Sequence, residues 1–137
     1  MGRILSIDYG MKRTGIAVTD PLRIIAKPLI VVLTVELDNW LDTYLKAEIV
    51  DAIVVGMPLR HSGEDTHATQ PVIAYLAKLK EKYPQMLIET MDERLTSKMA
   101  RQSLIDSGVP KNKRKEKGSL DSVSAALILQ SYLQKIS

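Results

Sequence analysis

The chain contains no cysteine. Disulfides, thiolate zinc sites and a cysteine nucleophile are therefore excluded, and the composition fits a reducing compartment. No apolar run approaches the roughly 18 residues that a membrane-spanning helix needs. The opening residues lack the charged-then-apolar pattern of a signal peptide, so the expectation is a cytoplasmic protein. Histidine is scarce. His61 and His67 share one polar stretch with no third ligand, which favours solvent exposure over a metal site. A Ser-His-Asp nucleophile system has no signature. Repeats, low-complexity tracts and linkers are also missing from the 137 residues, which predicts one domain spanning 1–137.

What is present is an ordinary globular composition, 45% hydrophobic and 26% charged. A domain of this size buries a little under ~70% of its unfolded surface, enough for a core without staples. The net charge is +3, and the segment Lys-Asn-Lys-Arg-Lys-Glu-Lys at 111–117 contributes +4 of it, leaving −1 for the rest. The basicity is thus a local patch. Such a patch suggests a polyanionic partner, and a solvated loop is the plain alternative. Five cations in seven residues repel one another, so the expectation is a flexible flap.

The hydrophobic pattern predicts strands over Arg3–Asp8, Thr14–Val18 and Arg23–Leu33, joined by short turns into a meander. Gly10 can supply a positive φ in the first turn. Pro28 predicts a bulge or an edge in the third strand. From Glu36 the period changes. Helices are predicted over Glu36–Ala47, Thr69–Tyr83, Thr96–Ser107 and Leu120–Lys135, with a buried-type strand over Asp51–Gly56 and a fifth strand over Met86–Met91. Strands that alternate with helices after an opening meander predict an α/β fold with a mixed sheet.

Certain acids stand out by position. Asp8 ends the first strand, Asp92 and Glu93 follow the last, and Asp121 opens the final helix. Sites in open α/β sheets form outside the carboxyl ends of strands, and these acids converge if the first strand is central. Asp121 shares a helical stripe with Ala125, Ile128 and Tyr132, which otherwise looks inward; complementing the helix dipole is its plainer role. Clustered carboxylates repel unless a hard divalent ion such as Mg²⁺ or Mn²⁺ relieves them. Two such ions about 4 Å apart activate water and stabilise the leaving oxygen in phosphodiester cleavage. Lys12, Arg13, Arg60 and the loop residues Lys113, Arg114 and Lys115 could hold a phosphate backbone, although exposed cations are common on any surface. The turn from Asp8 to Gly15 has a second use. Its backbone amides could cradle a phosphate, as in sugar kinases and actin-like ATPases, but those proteins close a second lobe over the nucleotide.

Four segments, read together, carry a resemblance. They are Ile7-Asp8-Tyr9-Gly10-Met11-Lys12-Arg13-Thr14-Gly15-Ile16-Ala17-Val18-Thr19-Asp20, Val54-Val55-Gly56-Met57-Pro58-Leu59, Asp92-Glu93-Arg94-Leu95-Thr96-Ser97 and Lys117-Gly118-Ser119-Leu120-Asp121-Ser122-Val123-Ser124-Ala125-Ala126. In this order the chain resembles the YqgF/RuvX family, Holliday junction resolvase-like proteins also known as pre-16S rRNA nucleases. The resemblance implies an RNase H-like fold, a five-stranded mixed sheet of order 3-2-1-4-5 flanked by helices. It implies Asp8, Glu93 and Asp121 as the catalytic and metal-holding acids, with Mg²⁺ or Mn²⁺. Successive strand residues face opposite ways, so at most one of Asp92 and Glu93 reaches the metals; Glu93 is the expectation and mid-strand Glu89 the next candidate. The implied activity is nuclease action on structured RNA in 5′-end maturation of pre-16S rRNA, by a monomer or weak homodimer. Branched DNA is the alternative substrate. A nucleic-acid- or nucleotide-binding module without catalysis is the alternative of another class.

Overall fold

Alternating residues in the first quarter of the chain form a three-stranded meander, β1 (Arg3–Asp8), β2 (Arg13–Thr19) and β3 (Ala26–Leu33). The computed structural model describes residues 2–58, 67, 69–92, 102 and 119–136, with the side chains of 119–121 left outside. A 3-10 turn, Thr34–Glu36, leads into α1 (Leu37–Ala47), followed by β4 (Val50–Met57), α2 (Thr69–Lys82), β5 (Leu87–Asp92) and α3 (Ser119–Ile136). β4 joins β1 in parallel and β5 joins β4 in parallel, so the five strands lie in the order β3-β2-β1-β4-β5. The expected mixed sheet is found with β1 at its centre. The helix expected over 96–107 lies outside the described residues.

The third strand starts later than its apolar pattern predicts. Arg23 to Ile25 are spent on a turn organised by Asp20. The Asp20 carbonyl accepts the Arg23 amide at 2.9 Å, and its carboxylate accepts the amides of Leu22, Ile24 and Ile25 at 3.2, 2.9 and 3.0 Å. Arg23 takes a left-handed φ of 59° within this turn. Pro28 meets both of its expected settings. β3 is an edge strand, and its register with β2 slips between Ile16↔Ile30 and Ala17↔Pro28, a bulge at Leu29.

Burial works against the Asp20 carboxylate, but the amides of Ile25, Ile24, Asp20 and Leu22 outweigh it and hold the carboxyl below its ordinary value of 3.8. A lowered folded pKa adds stability that is present above the unfolded value and is lost as pH falls through the folded one. Asp20→Asn is therefore expected to be less stable than wild type at about pH 7 and to converge with it near about pH 2. Urea melts at the two pH values measure this. An equal gap at both would remove the carboxylate charge as the cause.

β1 and β4 are buried on both faces, which is why β4 reads as a continuous apolar run. Ile4 and Val54 pack against Ala125 and Leu129 of α3. Leu5, Ile7, Ile53 and Val55 pack against the layer that holds Leu41 of α1 and Val72 and Leu76 of α2. Each such side chain, fully buried, contributes about 1.5–3 kcal/mol relative to exposure. α1 and α2 run side by side in the same direction. Ion pairs link Asp38 to Lys78 and Asp42 to Lys82, each at 2.9 Å, and the Tyr83 hydroxyl donates to Asp42. These exposed pairs set orientation more than stability. Among the described residues no helix is long and apolar enough to cross a membrane.

Candidate active site at the carboxyl ends of the parallel strands

β1, β4 and β5 point the same way, so Asp8, Met57 and Asp92 end on one rim of the sheet. Alternation decides which face each side chain takes. Ile4 packs against α3, and Ser6 follows on that face. The fully buried Ser6 hydroxyl donates to the Ala125 carbonyl of α3 at 2.6 Å. Asp8, two residues on and half-buried, takes the same face.

The helix brings position 121 to the same place. Toward the opposite rim, the Gln130 amide oxygen accepts the Ala26 amide at 3.1 Å, and Thr19 Oγ1 accepts the Ile4 amide at 2.9 Å. α3 therefore runs antiparallel to β1. From the Ser6–Ala125 contact, two residues along β1 advance about 6.6 Å toward the rim. Four residues back along α3 advance about 6 Å in the same direction. The backbone at 121 thus comes level with Asp8. The stripe named from the sequence does face inward, with Ala125, Ile128 and Tyr132 all buried. The Asp121 side chain lies outside the described residues.

Asp92 goes the other way. It pairs with Met57, which packs in the α1–α2 layer, while its neighbour Met91 is buried beneath α3. Asp92 is thus directed to the face opposite Asp8. Glu93 lies outside the described residues. Glu89 does face α3, level with Ser6 across β4, and there it accepts a hydrogen bond from Tyr132. Burial first, then that bond and the Glu89 charge, push the Tyr132 phenol up to about 12. Glu89 is thereby engaged in holding α3 to β5. Among the described residues no three His, Asp or Glu are close enough to hold a metal ion. Of the three expected acids, only Asp8 has a described side chain.

The hairpin after Asp8 is clasped from behind. Thr34 donates its amide to the Lys12 carbonyl at 2.8 Å and its hydroxyl to the Gly10 carbonyl at 2.6 Å. Thr14, fully buried, shares a 2.9 Å hydrogen bond with the Thr34 hydroxyl. The Gly10 amide is directed inward to Thr14 Oγ1 at 3.5 Å, away from any outer phosphate. Gly10 is not in the left-handed region; glycine is needed because a Cβ would collide with the Arg13 carbonyl. Gly10→Ala is expected to cost about 1–3 kcal/mol through that overlap and, should Asp8 be the acid expected from the sequence, to slow cleavage as well. Thermal melts and rate measurements check this. Lys12 and Arg13 are exposed on the same hairpin, beside the rim. His67 is exposed as expected. His61, Arg60, Lys113, Arg114 and Lys115, with the whole segment 111–117 for which a flap is expected, lie outside the described residues.

Sequence reasoning missed two positioning residues. Ser6 was visible as a polar residue inside an apolar strand, on the parity of Asp8. Tyr132 was visible only as part of a buried stripe, without its partner.

A family profile described as "RuvX: Holliday junction resolvase" matches residues 2–135. The chain belongs to the RuvX family. It is a family of nucleases, and RuvX membership places this chain among hydrolases of phosphodiester bonds. A relative from Christiangramia forsetii is 46% identical over 133 residues, covering 97% of this chain and 98% of its own. One from Porphyromonas gingivalis is 45% identical over 133 residues, covering 97% and 96%. Both carry the name "Putative pre-16S rRNA nuclease". Among solved structures, Thermus thermophilus RuvC in complex with a Holliday junction substrate superposes with a TM-score of 0.61 at 14% identity, covering 98% of this chain and 96% of that one. Fowlpox virus resolvase with Holliday junction DNA gives 0.55 at 14% identity, covering 98% of each. These likenesses establish the RNase H-like resolvase fold of the RuvX chain.

Proposed function

We propose that the chain cuts structured RNA at the 5′ end of the 16S rRNA precursor, with Asp8, Glu93 and Asp121 holding Mg²⁺ or Mn²⁺. One observation carries this reading: Ser6 bonded to Ala125 sets Asp8 and position 121 level on one face of the rim. Asp92 faces the other way, which by alternation favours Glu93 as the third acid. The donor set suits a hard divalent ion, being carboxylate oxygens with no thiolate. When bound, such ions would activate a water and stabilise the leaving oxygen. The chain itself holds Asp8 on a strand buried on both faces and presents Lys12 and Arg13 beside it for the phosphate backbone. Arg60, Lys113, Arg114 and Lys115 are the further cations of the sequence proposed to contact the substrate backbone. The pre-16S name of relatives above 40% identity over nearly the whole chain favours RNA.

The family's description favours a second reading, a four-way DNA junction. Two symmetric cuts need a two-fold dimer. The test offers a 5′-extended 16S precursor and a four-way junction to the folded protein with Mn²⁺, while its mass in solution is measured. Cutting of the RNA by a monomer or weak dimer supports the proposal. Cutting of the junction alone, by a dimer, replaces it.

A further inference from the structure

Beside the rim, on the face opposite Asp8, the structure holds a cleft that the metal chemistry does not use. It measures about 280 Å³ and lies between the β1–β2 hairpin, α1 and α2. Its wall includes Tyr9, Met11, Asp38, Tyr75 and Lys78. A larger cleft, about 430 Å³, opens between Val50 and Met86, but at the other end of the sheet, far from the rim. The smaller one sits against the residue that follows Asp8.

Four features describe what it can take. Tyr9 stacks on Tyr75 with ring centroids 4.7 Å apart and planes 23° apart. Tyr75 is buried and Tyr9 half-buried, so Tyr9 is the ring with surface to offer. Asp38 and Lys78 stand at the mouth, 2.9 Å from each other and exposed, presenting an acceptor and a cation together. The volume is at or below the low end for small-molecule sites, roughly 300–1,000 Å³, which suits one planar ring system. Lys12 and Arg13 are exposed on the adjoining hairpin. An aromatic platform bordered by cations is how proteins hold single-stranded nucleic acid, because every base offers a π face.

We propose that this cleft is a nucleobase subsite. The base of a nucleotide near the scissile phosphate leaves its stack, lies on Tyr9, and sets its edge against Asp38 and Lys78. Asp38, an acceptor, favours a base with an exocyclic amino group over uracil. Lys78 holds the adjoining phosphate or a base carbonyl. Asp8 ends β1 on the α3 face and Tyr9, next in the chain, packs in the α1–α2 layer, so a nucleic-acid strand crossing the rim meets both. This inference rests on the reading of the chain as acting on nucleic acid.

The experiment uses a single-stranded RNA of about a dozen nucleotides, with an abasic residue moved through each position. Affinity is measured by fluorescence anisotropy without divalent metal. Wild type and Tyr9→Phe are expected to lose roughly tenfold affinity at one position, while Tyr9→Leu shows no such position. A position-specific loss that persists in Tyr9→Leu, or its absence from wild type, overturns the subsite. Asp38→Ala, which removes the acceptor at an exposed side chain, gives an independent readout should Tyr9→Leu fail to fold. It should erase the preference for cytosine over uracil at that position, and a preference that survives overturns the assignment. Cleavage of the same RNA with Mn²⁺ separates the two claims. An abasic profile without cutting leaves the subsite standing and removes the nuclease reading for this RNA. Cutting without a profile does the reverse.

Discussion

Asp8→Asn is expected to abolish metal-dependent cleavage while leaving the fold in place. Asp8 ends the central strand, and Ser6 fixes its face against α3. The amide keeps the size of the carboxylate but loses the charge that a divalent ion requires. The loss should exceed the roughly 10–100-fold seen for outer-shell substitutions around metals and reach about a thousandfold or more. Thermal stability should move little, because Asp8 lies at the rim and is only half-buried. Initial rates with saturating Mn²⁺, read beside a thermal melt, check both parts. A variant that cuts within a few-fold of wild type would remove Asp8 from the metal site.

Leu129→Ala is expected to have the largest effect on stability. Leu129 is fully buried, on the helix that packs against β1, β2 and β3 on one face of the sheet. Its neighbours there include Ile4, Val54 and Met91, which hang from three separate strands and cannot collapse together into the space. Removing a buried leucine side chain costs about 2–5 kcal/mol, and this site belongs near the middle of that range. For a chain of this length a cost of about 3 kcal/mol corresponds to a fall in Tm of roughly 10 °C. Urea and thermal denaturation measure it. A change below about 1 kcal/mol would mean that α3 repacks, and then the alignment of 121 with Asp8 would lose its support.

Much of this was legible in the chain, because most of the local rules agree with one another. β1 announces itself by alternation and β4 by an apolar run, and the period shift at Glu36 marks α1. The centrality of β1 followed from the family resemblance and was required for the acids to meet. What escaped was tertiary. The residues Arg23 to Ile25 carry strand-type side chains, but Asp20 draws their amides into a turn. Gly10 is required by the Arg13 carbonyl, a contact made only once the hairpin has closed. The face of Asp92 follows from Met91 beside it being a core residue, a distinction that needs the register of β5 on β4. Glu89 has the right charge and faces α3, yet Tyr132 occupies it, and no local pattern couples residues so far apart in sequence.

The central claim is that Asp8, Glu93 and Asp121 together hold the metal. Mn²⁺ binding, followed by electron paramagnetic resonance on folded protein without substrate, tests it most directly. The account predicts that wild type binds Mn²⁺ and that Asp8→Asn, Glu93→Gln and Asp121→Asn each weaken binding at least about tenfold, whereas Asp92→Asn does not. Wild-type affinity in Glu93→Gln or Asp121→Asn, or a loss in Asp92→Asn equal to that in Asp8→Asn, would contradict it.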